Sequence, residues 1–81
     1  MVGGWRGRQR VDRRLRTATG KIAFMIYLNK LDSNTLLDLG NLGLKVEVND
    51  EKLMIVFATS DASKLAKVVE LPEVDFITPI E

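Results

Sequence analysis

From Lys21 onward the chain alternates: Ile22, Phe24, Ile26 and Leu28 interleave with Ala23, Met25 and Tyr27. That period of two, in branched and aromatic residues, predicts a strand that is apolar on both faces. Leu31-Asp32-Ser33-Asn34 then offers capping side chains. Leu36, Leu39 and Leu42 recur every third residue up to Gly43, so the spacing predicts a short helix, weakened at Gly40. Leu44, Val46 and Val48 alternate with Lys45 and Glu47, the polar link Asn49-Asp50-Glu51-Lys52 follows, and Leu53 to Ala58 is strand-like again. The pair reads as a hairpin. Ser60-Asp61 supplies a second cap, and Leu65, Ala66, Val68 and Val69 form an apolar stripe. Pro72 closes that helix, because proline cannot continue a helix interior, and Val74 and Phe76 around Asp75 predict a final strand. A last strand that stops with the sequence is expected to leave that end at the rim of the sheet, able to enter another molecule's groove.

The order strand, helix, strand, strand, helix, strand has one dominant compact solution. It is the ferredoxin-like βαββαβ sandwich, an α+β fold with a four-stranded antiparallel sheet, both helices on one face and right-handed crossovers. The first and third strands would be central and the second and fourth would be edges. The expected core is Ile22, Phe24, Ile26, Leu28, Leu36, Leu39, Val46, Val48, Leu53, Ile55, Phe57, Leu65, Val69, Val74 and Phe76. The opposite face would carry Met25, Tyr27, Met54, Val56, Ala58 and Ile77, with Lys45, Glu47 and Asp75 toward the edges. Such a face is too apolar for ordinary surface and marks a contact with a partner, a second copy of the chain, or the N-terminal segment. RNA stacking would need rings on both central strands. Tyr27 offers one, whereas Met54, Val56 and Ala58 offer none, so the face is expected to serve RNA poorly. An amino-acid-binding regulatory domain of this topology would need a Gly-rich first loop, which Leu28 to Asp32 lacks.

With 81 residues the chain has room for one small domain. It has no Cys and no His, which excludes thiolate and imidazole zinc sites, disulfides, thiol nucleophiles and the usual general base. The pair Asp50 and Glu51, and Ser60 beside Asp61, fall in predicted turns and caps with no base beside the serine. No catalytic residue, metal or cofactor is therefore assigned, and the domain is expected to be non-enzymatic. No stretch approaches the roughly 20 apolar residues of a membrane helix, and the start has no signal-peptide centre. Lack of cysteine does not choose a compartment.

Charge divides the chain. Residues 1–20 hold all six Arg against one Asp, while residues 21–81 hold six Lys against ten acids. A boundary near Gly20 is expected, with residues 1–20 as a flexible Arg-rich tail and 21–81 as the folded domain. Arg interleaved with Gly and Trp5 can neutralise phosphates and stack on bases, so the tail is the candidate element for nucleic acid. A weak helix over Val11 to Arg16 would place only Val11 and Leu15 on one face.

Several segments of residues 21–81 resemble the subtilisin propeptide and proteinase inhibitor I9 family. They are Phe24-Met25-Ile26-Tyr27-Leu28 as opening strand, Gly43-Leu44-Lys45-Val46 leading the second, and Ala58-Thr59-Ser60-Asp61 entering the second helix. Leu71-Pro72-Glu73-Val74-Asp75-Phe76-Ile77-Thr78-Pro79 is similar to the family's helix stop, Pro-x-Val, strand and closing Pro. The resemblance implies an intramolecular chaperone and inhibitor of a subtilisin-like serine protease, extracellular if it is a true propeptide. It implies a docking face of Met25, Tyr27, Met54 and Val56, and an acidic residue, Asp61 before Asp50 or Glu51, that caps the protease helices. Thr78, Pro79, Ile80 and Glu81 would lie extended in the protease cleft, with Glu81 at the primary pocket.

Overall fold

The computed structural model describes residues 10–80. The elements are α1 (Arg13–Arg16), β1 (Lys21–Leu28), α2 (Ser33–Asn41), β2 (Lys45–Asp50), β3 (Ile55–Asp61), a 3-10 turn (Ala62–Lys64) running into α3 (Leu65–Val68), and β4 (Val74–Pro79). The fold is mixed α+β with a four-stranded antiparallel sheet in the order β2-β3-β1-β4, so β1 and β3 are central. Leu39 of α2 and Leu65, Val68 and Val69 of the α3 region share one buried cluster with Phe24, Ile26, Leu28, Val56, Ala58 and Ile77. The helices therefore cover a single face of the sheet.

Local chemistry accounts for the element ends. The Asp32 carboxylate accepts the Thr35 N–H at 2.9 Å while the Thr35 hydroxyl faces the Asp32 N–H, a reciprocal capping box that starts α2. Gly43, at φ +96°, takes the left-handed turn that ends the segment, with its N–H on the Gly40 carbonyl at 2.9 Å. The second predicted helix is short, one 3-10 turn and four α residues, opened by the Asp61 carboxylate on the Ser63 N–H. Asn29 pins the Leu71-Pro72 corner to the end of β1: its N–H donates to the Glu73 carbonyl, and its side-chain amide donates to the Pro72 carbonyl and the Asp75 carboxylate.

The phase of three strands differs from the expected one. In the β1·β3 register Phe24 faces Ala58 and Ile26 faces Val56, so the even-numbered residues of both strands point to the helices. Val56 and Ala58 are buried, whereas Ile55 is half-buried and Phe57 exposed on the other face. Leu53 lies in the turn before β3, exposed. In β2 the register shifts between Val46 and Val48, which leaves Val46 inward opposite Ala58 and turns Val48 outward opposite Phe57. In β4 it shifts beside Asp75, so Val74 opposite Leu28 and Ile77 opposite Ile26 are both buried and Phe76 pairs with Tyr27 on the open side. The expected core places for Val48, Leu53, Ile55, Phe57 and Phe76 are thus corrected, and Val56, Ala58 and Ile77 take the interior. The physical reason is volume: with Phe24, Ile26, Leu39 and Leu65 already fully buried, the interior takes the smaller Val56 and Ala58 and would be overpacked by Phe57.

The boundary expected near Gly20 also moves. Val11 is 1% exposed and Leu15 4%, and both belong to the core. Val11 forms an isolated parallel bridge with Ile77, and the Asp12 N–H donates to the Ile77 carbonyl at 2.8 Å. The Arg10 guanidinium donates to the Val74 carbonyl at 2.7 Å and to the Val69 carbonyl, tying the last turn of α3 to the first residue of β4. Residues 10–16 therefore form a strap packed along β4. Of the tail expected over residues 1–20, residues 10–16 are packed on the domain, and residues 1–9 lie outside the described residues. Composition obscured this because two apolar side chains among four arginines suffice once a strand edge is there to receive them.

Two outcomes follow. Leu15→Ala should lower the unfolding free energy by about 2–5 kcal/mol, the cost of truncating a buried leucine, as read by urea titration of the full chain. Acid should destabilise the fold. Asp12 is held at about 2, below the ordinary 3.8, chiefly by the Arg14 side chain, and Asp32 and Asp61 are lowered by hydrogen bonds from Thr35 and Ser63 respectively. Carboxylates depressed in the folded state stabilise it fully above their unfolded pKa, and that contribution drains away as pH falls from about 5 toward 2. Asp12→Asn should flatten the low-pH end of the curve, and added salt should shrink the difference because the Asp12–Arg14 pair is half-exposed.

Candidate interaction face

The side of the sheet opposite the helices is built by the outward residues of all four strands. Register places them in rows. One row crosses the sheet as Val48, Phe57, Met25 and Thr78, and the next as Asp50, Ile55, Tyr27 and Phe76. Tyr27 lies directly opposite Phe76 and diagonal to Phe57, so the register puts aromatic residues of β4, β1 and β3 at neighbouring positions on one face. Tyr27 is 38% exposed, Phe57 37% and Val48 54%, while Met25, Ile55 and Phe76 are half-buried among them. The ends of the face are charged. Lys21 pairs with Asp61 and Lys45 with Thr59 at one end, where Lys45 also lies 3.9 Å from Glu47; Asp50 closes the other. The balance is near neutral with an apolar centre, an anatomy common among protein-contact surfaces.

The face holds some of the expected docking residues and not others. Met25 and Tyr27 are on it. Val56 is buried beneath the helices, along with Ala58 and Ile77, because the phase of β3 and the shift in β4 turn them inward. Met54 is off the sheet, in the Glu51–Met54 turn at φ 59°, where its carbonyl accepts the Leu28 N–H at 2.8 Å. Its left-handed backbone sets the start of β3. Asp61 is exposed at the end of β3, but its carboxylate already accepts the Ser63 N–H at 3.0 Å. Sequence reasoning missed Ile55, Phe57, Phe76 and Val48. No signal in the alternation separates the two phases of β3, since both are apolar.

The C-terminal segment is likewise divided. Thr78 pairs with Met25 and Pro79 with Phe24, so both are sheet residues of β4 rather than a free extension. Ile80, 42% exposed, is the first residue past β4, and its N–H still donates to the Ala23 carbonyl of β1 at 3.5 Å. Glu81 lies outside the described residues. Of the expected cleft segment Thr78 to Glu81, the first two residues are thus held in the sheet.

The groups considered for chemistry are engaged structurally. The Asp50 carboxylate accepts the Lys52 and Leu53 N–H groups at 3.0 and 3.1 Å, closing the hairpin turn. Ser60 is buried, and its hydroxyl donates to the Asp61 carbonyl at 3.0 Å. Among the described residues no cluster of His, Cys, Asp and Glu could hold a metal ion, and no helix is long and apolar enough to cross a membrane. A shallow cleft of about 300 Å³ lies elsewhere, between Arg16–Gly20 and Asp61–Ala66. Comparison with known proteins returns nothing: no family model matches the chain, and no curated protein or solved structure matches it significantly.

The face assignment predicts that neighbouring substitutions on β3 behave oppositely. Val56→Asp should abolish cooperative folding, since it buries an unpaired charge at a cost of several kcal/mol. Phe57→Asp should leave a folded domain within about 2 kcal/mol of the parent, because the new charge reaches water. Circular dichroism melts of the two variants check this.

Proposed function

We propose that the chain is a non-catalytic protein-docking domain on the ferredoxin-like sandwich, acting as a propeptide-like inhibitor and folding assistant of a subtilisin-like serine protease. The observation that carries the reading is the contiguous apolar face of Met25, Tyr27, Ile55, Phe57, Phe76 and Val48, adjoining a strand whose far end leads off the sheet at Ile80. An apolar centre with charges at its ends suits a protein surface such as a pair of helices, and the rings are the anchors expected to dominate binding. Ile80 and Glu81 would enter the substrate cleft as an extended continuation of β4, adding a strand to the protease. The sequence resemblance supports the same reading, with the docking residues Val56 and Met54 replaced by Ile55 and Phe57. Asp61 keeps its role of meeting a helix N-terminus only if the bond to Ser63 is shared.

One observation favours a second reading. Tyr27 and Phe57 put rings on both central strands, and Phe76 adds a third, which is the arrangement that stacks unpaired bases. The expectation that this face serves RNA poorly rested on the opposite phase of β3. Against it stand the few cations on the face, Lys21 and Lys45, beside Glu47, Asp50 and Asp61. A second copy of the chain on the same face is the remaining covering.

Titration of the full chain into a broad-specificity subtilisin-like protease should give tight inhibition. Phe57→Ala should weaken it by about 10- to 100-fold, the effect of truncating an anchor residue, and removal of Ile80 and Glu81 should abolish it. An unaffected protease, with a labelled single-stranded oligonucleotide bound in a salt-dependent and Phe57-dependent manner, would replace this reading by the second. A concentration-dependent dimer lost in Phe57→Asp would replace it by self-association.

A further inference from the structure

The strap over residues 10–16 has an unusual construction. It is held by few groups: Val11 and Leu15 in the core, the Asp12 N–H on the Ile77 carbonyl, and the Arg10 guanidinium on the Val69 and Val74 carbonyls. Between its anchors it is a single turn, Arg13–Arg16, with Arg13 and Arg14 exposed. One turn of helix is opened cheaply, since an isolated turn fixes several dihedrals for each hydrogen bond it makes. The link to β1 is open as well. Thr17, Thr19 and Gly20 are exposed, and the cleft beside Asp61 to Ala66 leaves Arg16 to Gly20 lining open space on one side.

Its position is equally particular. β4 pairs with β1 on one side, and Val11 bridges Ile77 in parallel on the other. The strap therefore occupies the outer edge of β4, where a foreign strand would otherwise add. Its chemistry is the third element: residues 10–16 hold four arginines against the one Asp12, and every arginine of the chain lies between positions 6 and 16. A cluster of that kind complements the acidic specificity pocket of an endoprotease selective for basic residues.

We propose that Arg13–Arg16 is a processing site for an endoprotease selective for basic residues, and that cutting there detaches Val11 and bares the outer edge of β4. The step is hydrolysis: water adds across the peptide bond after Arg13, Arg14 or Arg16, its hydroxyl going to the arginine carbonyl carbon and its proton to the following nitrogen. Each of these cuts separates Val11 from the domain. Once severed, the strap is a peptide held by one or two apolar anchors and a few hydrogen bonds, too little to offset its regained translational freedom. β4 then changes from a covered strand to an open edge. The inference deepens the protein-docking reading, since β4 is the strand that leads to Ile80, but its test does not depend on that reading.

The full chain is treated with an arginine-selective endoprotease and followed by mass spectrometry, gel filtration and amide hydrogen exchange. Domains beginning at Arg14, Leu15 or Thr17 are expected, the N-terminal peptide should separate from them, and amides of Val74 to Thr78 should exchange roughly tenfold faster or more. Uncut Val11→Ala should reproduce part of that acceleration. Trimming that halts at Arg10, a severed peptide that stays with the domain, unchanged exchange in β4, or unfolding of the whole domain on cutting would each overturn the proposal. None of these readouts uses a subtilisin-like protease, so a failure here is distinct from a failure of the inhibitor reading.

Discussion

The antiparallel register of β1 on β3 is the constraint on which the rest of the molecule depends. With Phe24 facing Ala58 and Ile26 facing Val56, the even-numbered residues of the two central strands meet the helices and the odd-numbered ones form the open face. A slip of one residue on either strand would exchange its two faces completely. Transfer free energy alone argues for the slip in β3, since Ile55 and Phe57 carry more apolar area than Val56 and Ala58. Packing decides otherwise. Leu65, Val68 and Val69 share the filled interior with Val56 and Ala58, and a ring in place of either small side chain would overpack that cluster. The turn fixes the same register from its own side, because Met54 takes a left-handed backbone and its carbonyl receives the Leu28 N–H. The far end is tied by the Ala62 N–H on the Gly20 carbonyl at 2.8 Å.

How much of this could be read from sequence follows from where a pattern was one-sided. β1, α2 with its Asp32 cap, the Gly43 stop and the Pro72 corner were legible, because each combines a period with a residue of distinct backbone chemistry. The mixed α+β class and the antiparallel sheet followed from their order. The phase of β3 was not legible, since Ile55, Val56, Phe57 and Ala58 are apolar at both parities and the deciding information lies in the volumes of residues far away in sequence. Nor were the shifts at Glu47 and Asp75. A bulge leaves no mark on local composition, yet it inverts every assignment beyond it. Met25 and Tyr27 lie on the open face as expected, because β1 is the strand whose phase was right. Val56 and Met54 do not, because they belong to β3 and its turn.

The strap illustrates a different limit. Read as composition, residues 1–20 differ so sharply from the remainder that a boundary at Gly20 is the natural inference. Composition, however, averages over positions, and the strap needs only two apolar side chains at the right places. Val11 and Leu15 stand four residues apart, one at a strand edge and one within a single helical turn, and both enter the core. The surrounding arginines are not mere solvated charge either. Arg10 satisfies carbonyls at the end of α3 and the start of β4, and the Arg16 guanidinium donates to the Val11 carbonyl at 3.3 and 3.4 Å.

The two bulges also bear on whether the open face is an accident of folding. Without them, strict alternation would place Glu47 and Asp75 on that face and turn Val48 and Phe76 inward. Each edge would then show a charge outward and add apolar area to the core, the outcome that ordinary stability favours. The observed registers do the reverse at both edges: they give up a ladder position, leave a charged residue at the irregularity, and bring an apolar side chain to the exposed side. In β4 the exchange is compensated, because Ile77 takes the inward place and receives Val11. In β2 Asn49 follows instead and stays exposed, so the outward turn of Val48 has no inward counterpart. An irregularity that costs pairing and yields no buried area is accounted for by what it presents. On β2 that is an apolar side chain extending the row of Phe57 and Met25, so the irregularity enlarges the continuous apolar area of the open face.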